Sequence, residues 1–128
     1  MEIISYIIGV LLIHKNSQDV FKSIGTIKKR VGNNLLFETN IEGINAIGIV
    51  VIDDVVTKIN VILTKSINII DLHNNFGNYN VNYNSYDDFT ILSFKLPDNM
   101  ILIAKTHGFV DQDKLSDKAF SEFEFVKM

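Results

Sequence analysis

The chain has 128 residues, 47% of them hydrophobic, a formal charge of −3 and no cysteine. That length reads as one domain, 1–128, with enough apolar material for a core. The acidic balance argues against nucleic acid as a partner. Lack of cysteine excludes disulfides, thiolate catalysis and cysteine–zinc sites, and fits a reducing, cytoplasmic setting. The charge is uneven: residues 1–64 carry six basic and six acidic side chains, residues 65–128 six and nine. Heavy use of isoleucine and asparagine, with one proline and no tryptophan, reads as the codon bias of an AT-rich bacterial genome.

The first apolar run, Ile3–Ile13, is too short to span a bilayer. Glu2 stands where a signal peptide would carry a cation, and no small-residue cleavage site follows. A buried strand is the expectation, and no membrane association. A helix is predicted over Ser17–Val31, capped by Asn16 or Ser17, with Val20, Phe21, Ile24, Ile27 and Val31 as one apolar stripe. Gly25 weakens this helix, either letting it lie close on the sheet or breaking it there, and Gly32 with Asn33 and Asn34 should end it.

Strand patterns follow. Leu35, Phe37, Thr39 and Ile41 alternate with polar or exposed positions. Ile47–Ile52 is apolar on both faces, as a central strand covered on both sides would be. Asp53-Asp54 reads as a turn. Val55, Thr57, Ile59, Val61 and Leu63 alternate again. A second helix is predicted over Ser66–Phe76, with Ser66 as cap, Ile69, Leu72 and Phe76 buried, and Gly77 as its stop.

Asn78–Asp88 reads as a polar loop bearing tyrosines. Phe89–Leu96 and Met100–Ala104 read as strands joined by a Pro97-Asp98-Asn99 turn. His107–Ala119 is a second loop, and Phe120–Val126 a last strand whose edge is a candidate for pairing with another subunit. The pattern of strand, helix closed by glycine, and further strands occurs twice, dividing the chain into repeat units 1–54 and 55–128. The expected fold is α+β: a curved antiparallel sheet of about six to seven strands with two helices on one face.

Chemistry is sparse. His14, His73 and His107 lack zinc spacing, and no nucleophile elbow or phosphate-binding glycine loop occurs. Asp111, Asp113 and Asp117 lack the glycine and terminal glutamate of a calcium loop. Neither catalytic residues, nor a metal, nor a cofactor is expected. The candidate site is a surface: Tyr79, Tyr83, Tyr86, Asp87 and Asp88, with Asp53 and Asp54 as further acidic spots. Tyrosines give large contact area at low entropy cost, and neighbouring acids steer a basic partner.

The run Ile69-Ile70-Asp71-Leu72-His73-Asn74-Asn75-Phe76-Gly77, followed by a long polar stretch and a hairpin, resembles the repeat of the beta-lactamase-inhibitor-protein-like domains. The small lipoprotein of the outer-membrane assembly machine is similar in layout. The resemblance implies tandem αβ units and a protein-binding role. This chain departs from the group in having neither a lipobox cysteine nor disulfides, and in its extra apolar strand before the first helix. In style it is also similar to bacterial immunity proteins that neutralise toxins. The expected function is therefore inhibition of a protein, most concretely a basic toxin domain whose active site is occluded. The alternative is a small-ligand or enzymatic domain with an internal pocket near His73, Tyr83 and Asp71.

Overall fold

The structure is a computed structural model that describes residues 22, 24–39 and 41–127. The predicted strand Ile3–Ile13, His14, and the expected start of the first helix through Phe21 lie outside the described residues. Lys22 and Ile24 are helical. The elements that follow are β1 (Thr26–Val31), β2 (Asn34–Glu38), β3 (Ile44–Ile52), β4 (Val55–Asn68), α1 (Ile69–Phe76), β5 (Tyr79–Asn84), β6 (Phe89–Leu96), β7 (Met100–His107), a 3-10 helix (Gln112–Asp117) and β8 (Ala119–Lys127).

The strands form one antiparallel sheet in the order β1-β2-β3-β4-β8-β7-β6-β5. Two four-stranded meanders thus meet along β4 and β8. Among the described residues the sheet has eight strands rather than six or seven, and it is not curled: β1 and β5 lie at opposite edges. Two segments account for the difference, Thr26–Val31, expected to be helical, and Tyr79–Asn84, expected within a loop.

Gly25 explains the first. Its φ is +146°, and a Cβ there would lie 2.4 Å from the carbonyl oxygen of Glu38. The helical path stops at this close approach, and Thr26–Val31 pairs with β2 through a bulge between Ile27 and Lys29. Ile27 and Val31, expected in the buried stripe, are 39% and 60% exposed. The second correction has a different origin. Tyr79–Asn84 alternates tyrosine or valine with asparagine, and its partner β6 is strongly apolar; pairing from Tyr79↔Phe94 to Asn84↔Phe89 makes it a strand.

The second predicted helix is real but shorter. β4 runs on to Asn68 because Ile67 and Asn68 pair with Phe120 and Ala119. Asn68, not Ser66, is the cap, its Oδ1 accepting the Asp71 N–H at 2.8 Å. Ile69 and Leu72 are buried and Phe76 is half-buried. Gly77, at φ +85°, ends the helix by donating its N–H to the His73 carbonyl at 2.8 Å. The His73 Nδ1–H donates in turn to the Gly77 carbonyl at 2.9 Å.

Alternation sorts the sheet into two faces. On one, Leu35, Phe37, Ile47, Ile49, Ile59, Val61, Phe123, Phe125, Leu102, Leu92 and Phe94 are buried. The register carries this row across all the central strands. α1 packs on this face against β4, β6 and the 3-10 helix. Full burial of each large side chain contributes about 1.5–3 kcal/mol. On the opposite face Val50, Ile101, Ile103 and Val126 are only half-buried, and Leu36 and Ile62 are 39% and 41% exposed. So β3 and β7 are central, as their apolar runs predict, yet their second face is not covered like their first. Phe120–Val126 is also central, between β4 and β7, and offers no edge.

Candidate functional site

The antiparallel register fixes which turns share an end of the sheet. At one end Lys58 pairs with Val126, Met100 with Lys127 and Leu96 with Met100. The Asp53-Asp54 turn lies there. At the other, Phe89 pairs with both His107 and Asn84. The Ser85–Asp88 turn and the segment after β7 meet at that end. The structure therefore separates Asp53 and Asp54 from Tyr83, Tyr86, Asp87 and Asp88. Tyr79 is also apart, toward the far end of β5, half-buried against Phe94 at 5.5 Å between ring centroids and edge-on to His73.

Four of the seven expected residues come together, and a fifth joins them. The Asn84 Oδ1 accepts the N–H groups of Tyr86 (3.0 Å) and Asp87 (3.4 Å), an asparagine turn that sets the hairpin. Its Nδ2 donates to Asp87 Oδ2 at 3.3 Å. The Tyr83 hydroxyl donates to Asp88 Oδ1 at 2.6 Å. This hydrogen bond, then desolvation and the carboxylate charge, raise the Tyr83 pKa above the ordinary tyrosine value of 10.0. The phenol stays neutral and acts as a donor. Tyr83 also stands edge-on to Phe109 at 5.3 Å. Phe109 is 66% exposed and Tyr86 95% exposed.

The segment after β7 is tied into this cluster through Thr90, which is 1% exposed. Thr90 Oγ1 donates to the Gly108 carbonyl at 2.7 Å and accepts the Val110 N–H at 3.1 Å. The Gly108 N–H donates to the Asp88 carbonyl at 2.7 Å. The φ of +83° at Gly108 lets the chain turn back over the hairpin. Residues 85–88 and 108–118 together carry five aspartates against two lysines. The result is an exposed acidic end that carries the Tyr83–Phe109 ring pair and, on the hairpin turn, the projecting Tyr86.

Sequence reasoning missed Phe109 and Thr90. Phe109 does leave a signal, an aromatic residue directly after glycine in an otherwise polar segment. Thr90 leaves none, because a threonine inside a strand pattern is ordinary.

The face opposite α1 holds the other polar cluster. Glu124 bridges Lys58, at 3.3 Å, and Lys105. The Oδ1 of neighbouring Asn60 is buried without a hydrogen-bond partner among the described residues. A depression of about 320 Å³ opens beside it, walled by Leu36, Ala46, Gly48, Ile62 and Glu122. His107 packs on Phe89 at 4.3 Å and lies 3.7 Å from Glu122. His73, Tyr83 and Asp71 do not line this depression. Among the described residues no group of three or more His, Asp or Glu could hold a metal ion, and no helix is long and apolar enough to cross a membrane.

Comparison with known proteins finds no matching family model, no matching curated protein and no matching solved structure.

Proposed function

We propose that this protein is a stoichiometric protein-binding inhibitor, an immunity protein that occludes the active site of a basic toxin domain. The observation that carries the reading is the joining of Tyr83 with Asp88 and Phe109 at one end of the sheet, on the hairpin whose turn also carries Tyr86 and Asp87. Aromatic anchors beside acids suit a cationic surface, and the surplus of aspartates would steer its approach. The surface that docks is Tyr83–Asp88 with residues 108–118. Asp53, Asp54 and Tyr79 fall outside it.

Two four-stranded meanders, one following α1 and the other following the helical residues Lys22 and Ile24, support the likeness to tandem inhibitor domains. The role is binding rather than catalysis.

The test is co-purification from the native host, followed by titration of the recovered partner. The expected result is one basic protein at equal stoichiometry whose activity falls linearly to zero at one equivalent. A partner whose activity survives saturation would overturn inhibition by occlusion.

The rival reading, a small-ligand domain, has one feature in its favour: the depression beside Asn60, whose Oδ1 has no partner among the described residues. Asn60→Leu distinguishes the two, since it should abolish small-ligand binding and leave the toxin complex intact.

A further inference from the structure

The two edges of the sheet are built differently. β1 carries Lys28, Lys29 and Arg30 in succession, and a bulge between Ile27 and Lys29 disturbs its ladder. Cations and bulges are the usual devices by which an edge strand avoids pairing with another chain. β5 has neither. It is six residues long, uncharged, free of proline, and paired with β6 in unbroken register.

The sequence of β5 adds a second observation. Tyr79-Asn80-Val81-Asn82-Tyr83 reads the same in both directions. A two-fold symmetric interface requires that one surface complement itself. Antiparallel pairing of two β5 strands about Val81 meets this requirement. Val81 faces its own copy, Tyr79 faces Tyr83 of the second copy, and Asn80 faces Asn82 of the second copy. Directly opposed residues lie on the same face. Tyrosines and valines therefore meet on the side of α1, and asparagine amides, each both donor and acceptor, meet on the other side.

Asp87 and Asp88 lie beyond the end of the opposed strand in this register, so no carboxylate stands against another. The same operation at β1 would set cations against cations.

We infer that β5 is a homodimerisation edge, and that two copies of this chain join there into one continuous antiparallel sheet. The inference rests on the sheet edge and not on the toxin reading, but it engages Tyr83, which the proposed docking surface also uses, so the dimer and the toxin complex would compete for that side chain.

The test is sedimentation equilibrium over a concentration series for three proteins: the wild type, Asn80→Lys with Asn82→Lys, and Asn80→Glu with Asn82→Glu. Asn80 and Asn82 are exposed, so both double variants should fold. The wild type should show reversible dimerisation. Each variant alone places like charges directly across the two-fold axis, and should dimerise about tenfold more weakly. An equal mixture of the two should recover a heterodimer at least as tight as the wild-type dimer. A wild type that stays monomeric throughout the series would overturn the inference. So would a dimer unaffected by either variant, or variants that fail to pair when mixed. An extended peptide of another protein bound along β5 of a monomeric wild type would reassign the edge to a different partner.

Discussion

The chain contains two Asp-Asp turns, and they are different objects. In the first, Asp53 and Asp54 both have positive φ, 52° and 62°. They form the two central positions of a tight β-hairpin turn, which favours left-handed residues for its twist. In the second, only Asp88 is left-handed, at φ 56°. Its turn is longer and set by Asn84, and its carboxylates engage Tyr83 and Asn84. One pair meets the needs of the backbone. The other is organised by side chains and stands beside exposed aromatics. The same dipeptide becomes a turn device or a recognition device according to what the hairpin around it requires.

The sharpest way to break this contrast is charge reversal. Asp87→Lys with Asp88→Lys should weaken binding of the basic partner by about 3 kcal/mol, roughly 150-fold. The fold itself should lose about 1–2 kcal/mol, because a lysine at the left-handed Asp88 position is strained and the Tyr83 and Asn84 hydrogen bonds go with the carboxylates. Calorimetric titration and thermal unfolding give both numbers, and unchanged affinity would remove this end from the interface.

Next in size is Thr90→Val. It leaves the Val110 N–H and the Gly108 carbonyl without their partner, which should cost about 1–3 kcal/mol. Denaturant unfolding would register the loss, and amide exchange at Val110 should accelerate.

Asp53→Asn with Asp54→Gly tests the other turn. It installs the preferred pair for two left-handed positions and should stabilise the fold by about 1 kcal/mol, with binding unaltered. A drop in melting temperature would mean that the carboxylates have partners of their own.

The smallest effect is Asp88→Asn. Because the Tyr83 pKa is raised, its hydrogen bond is intact below the ordinary tyrosine range and is lost as pH climbs through the higher folded-state value. Removing the carboxylate should bring the Tyr83 titration back down, readable as a shift in the alkaline ultraviolet transition.

What was legible in the sequence follows the strength of the apolar pattern. Leu92 and Phe94, Phe123 and Phe125, and Ile59 and Val61 alternate clearly with polar neighbours, and each pair is buried as the alternation requires. α1 carried its own stop in Gly77. Other segments were decided by partners distant in the chain, which local spacing does not encode. Ile67 and Asn68 are strand because Phe120 and Ala119 lie beside them. Thr26–Val31 has helical spacing of its apolar residues, but the backbone approach at Gly25 overrides it. β5 shows no strong apolar face because it is an edge with both sides partly exposed.

The candidate site was half legible for a similar reason. Tyr83, Tyr86, Asp87 and Asp88 lie close together in the chain, so a hairpin was enough to gather them. Joining Phe109 to them, and removing Asp53 and Asp54, required the strand directions.

The place of β8 has a consequence for how the molecule comes into being. β1–β4 and β5–β7 can each zip up locally, hairpin by hairpin. Among the described strands they join as one sheet only through β8, the last of these along the chain. Until β8 is made, β4 and β7 each present a bare edge. β8 pairs with β7 across a short segment and with β4 across all of β5–β7, so the first pairing is local and the second is the long-range, slower step on which the joining of the half-sheets waits.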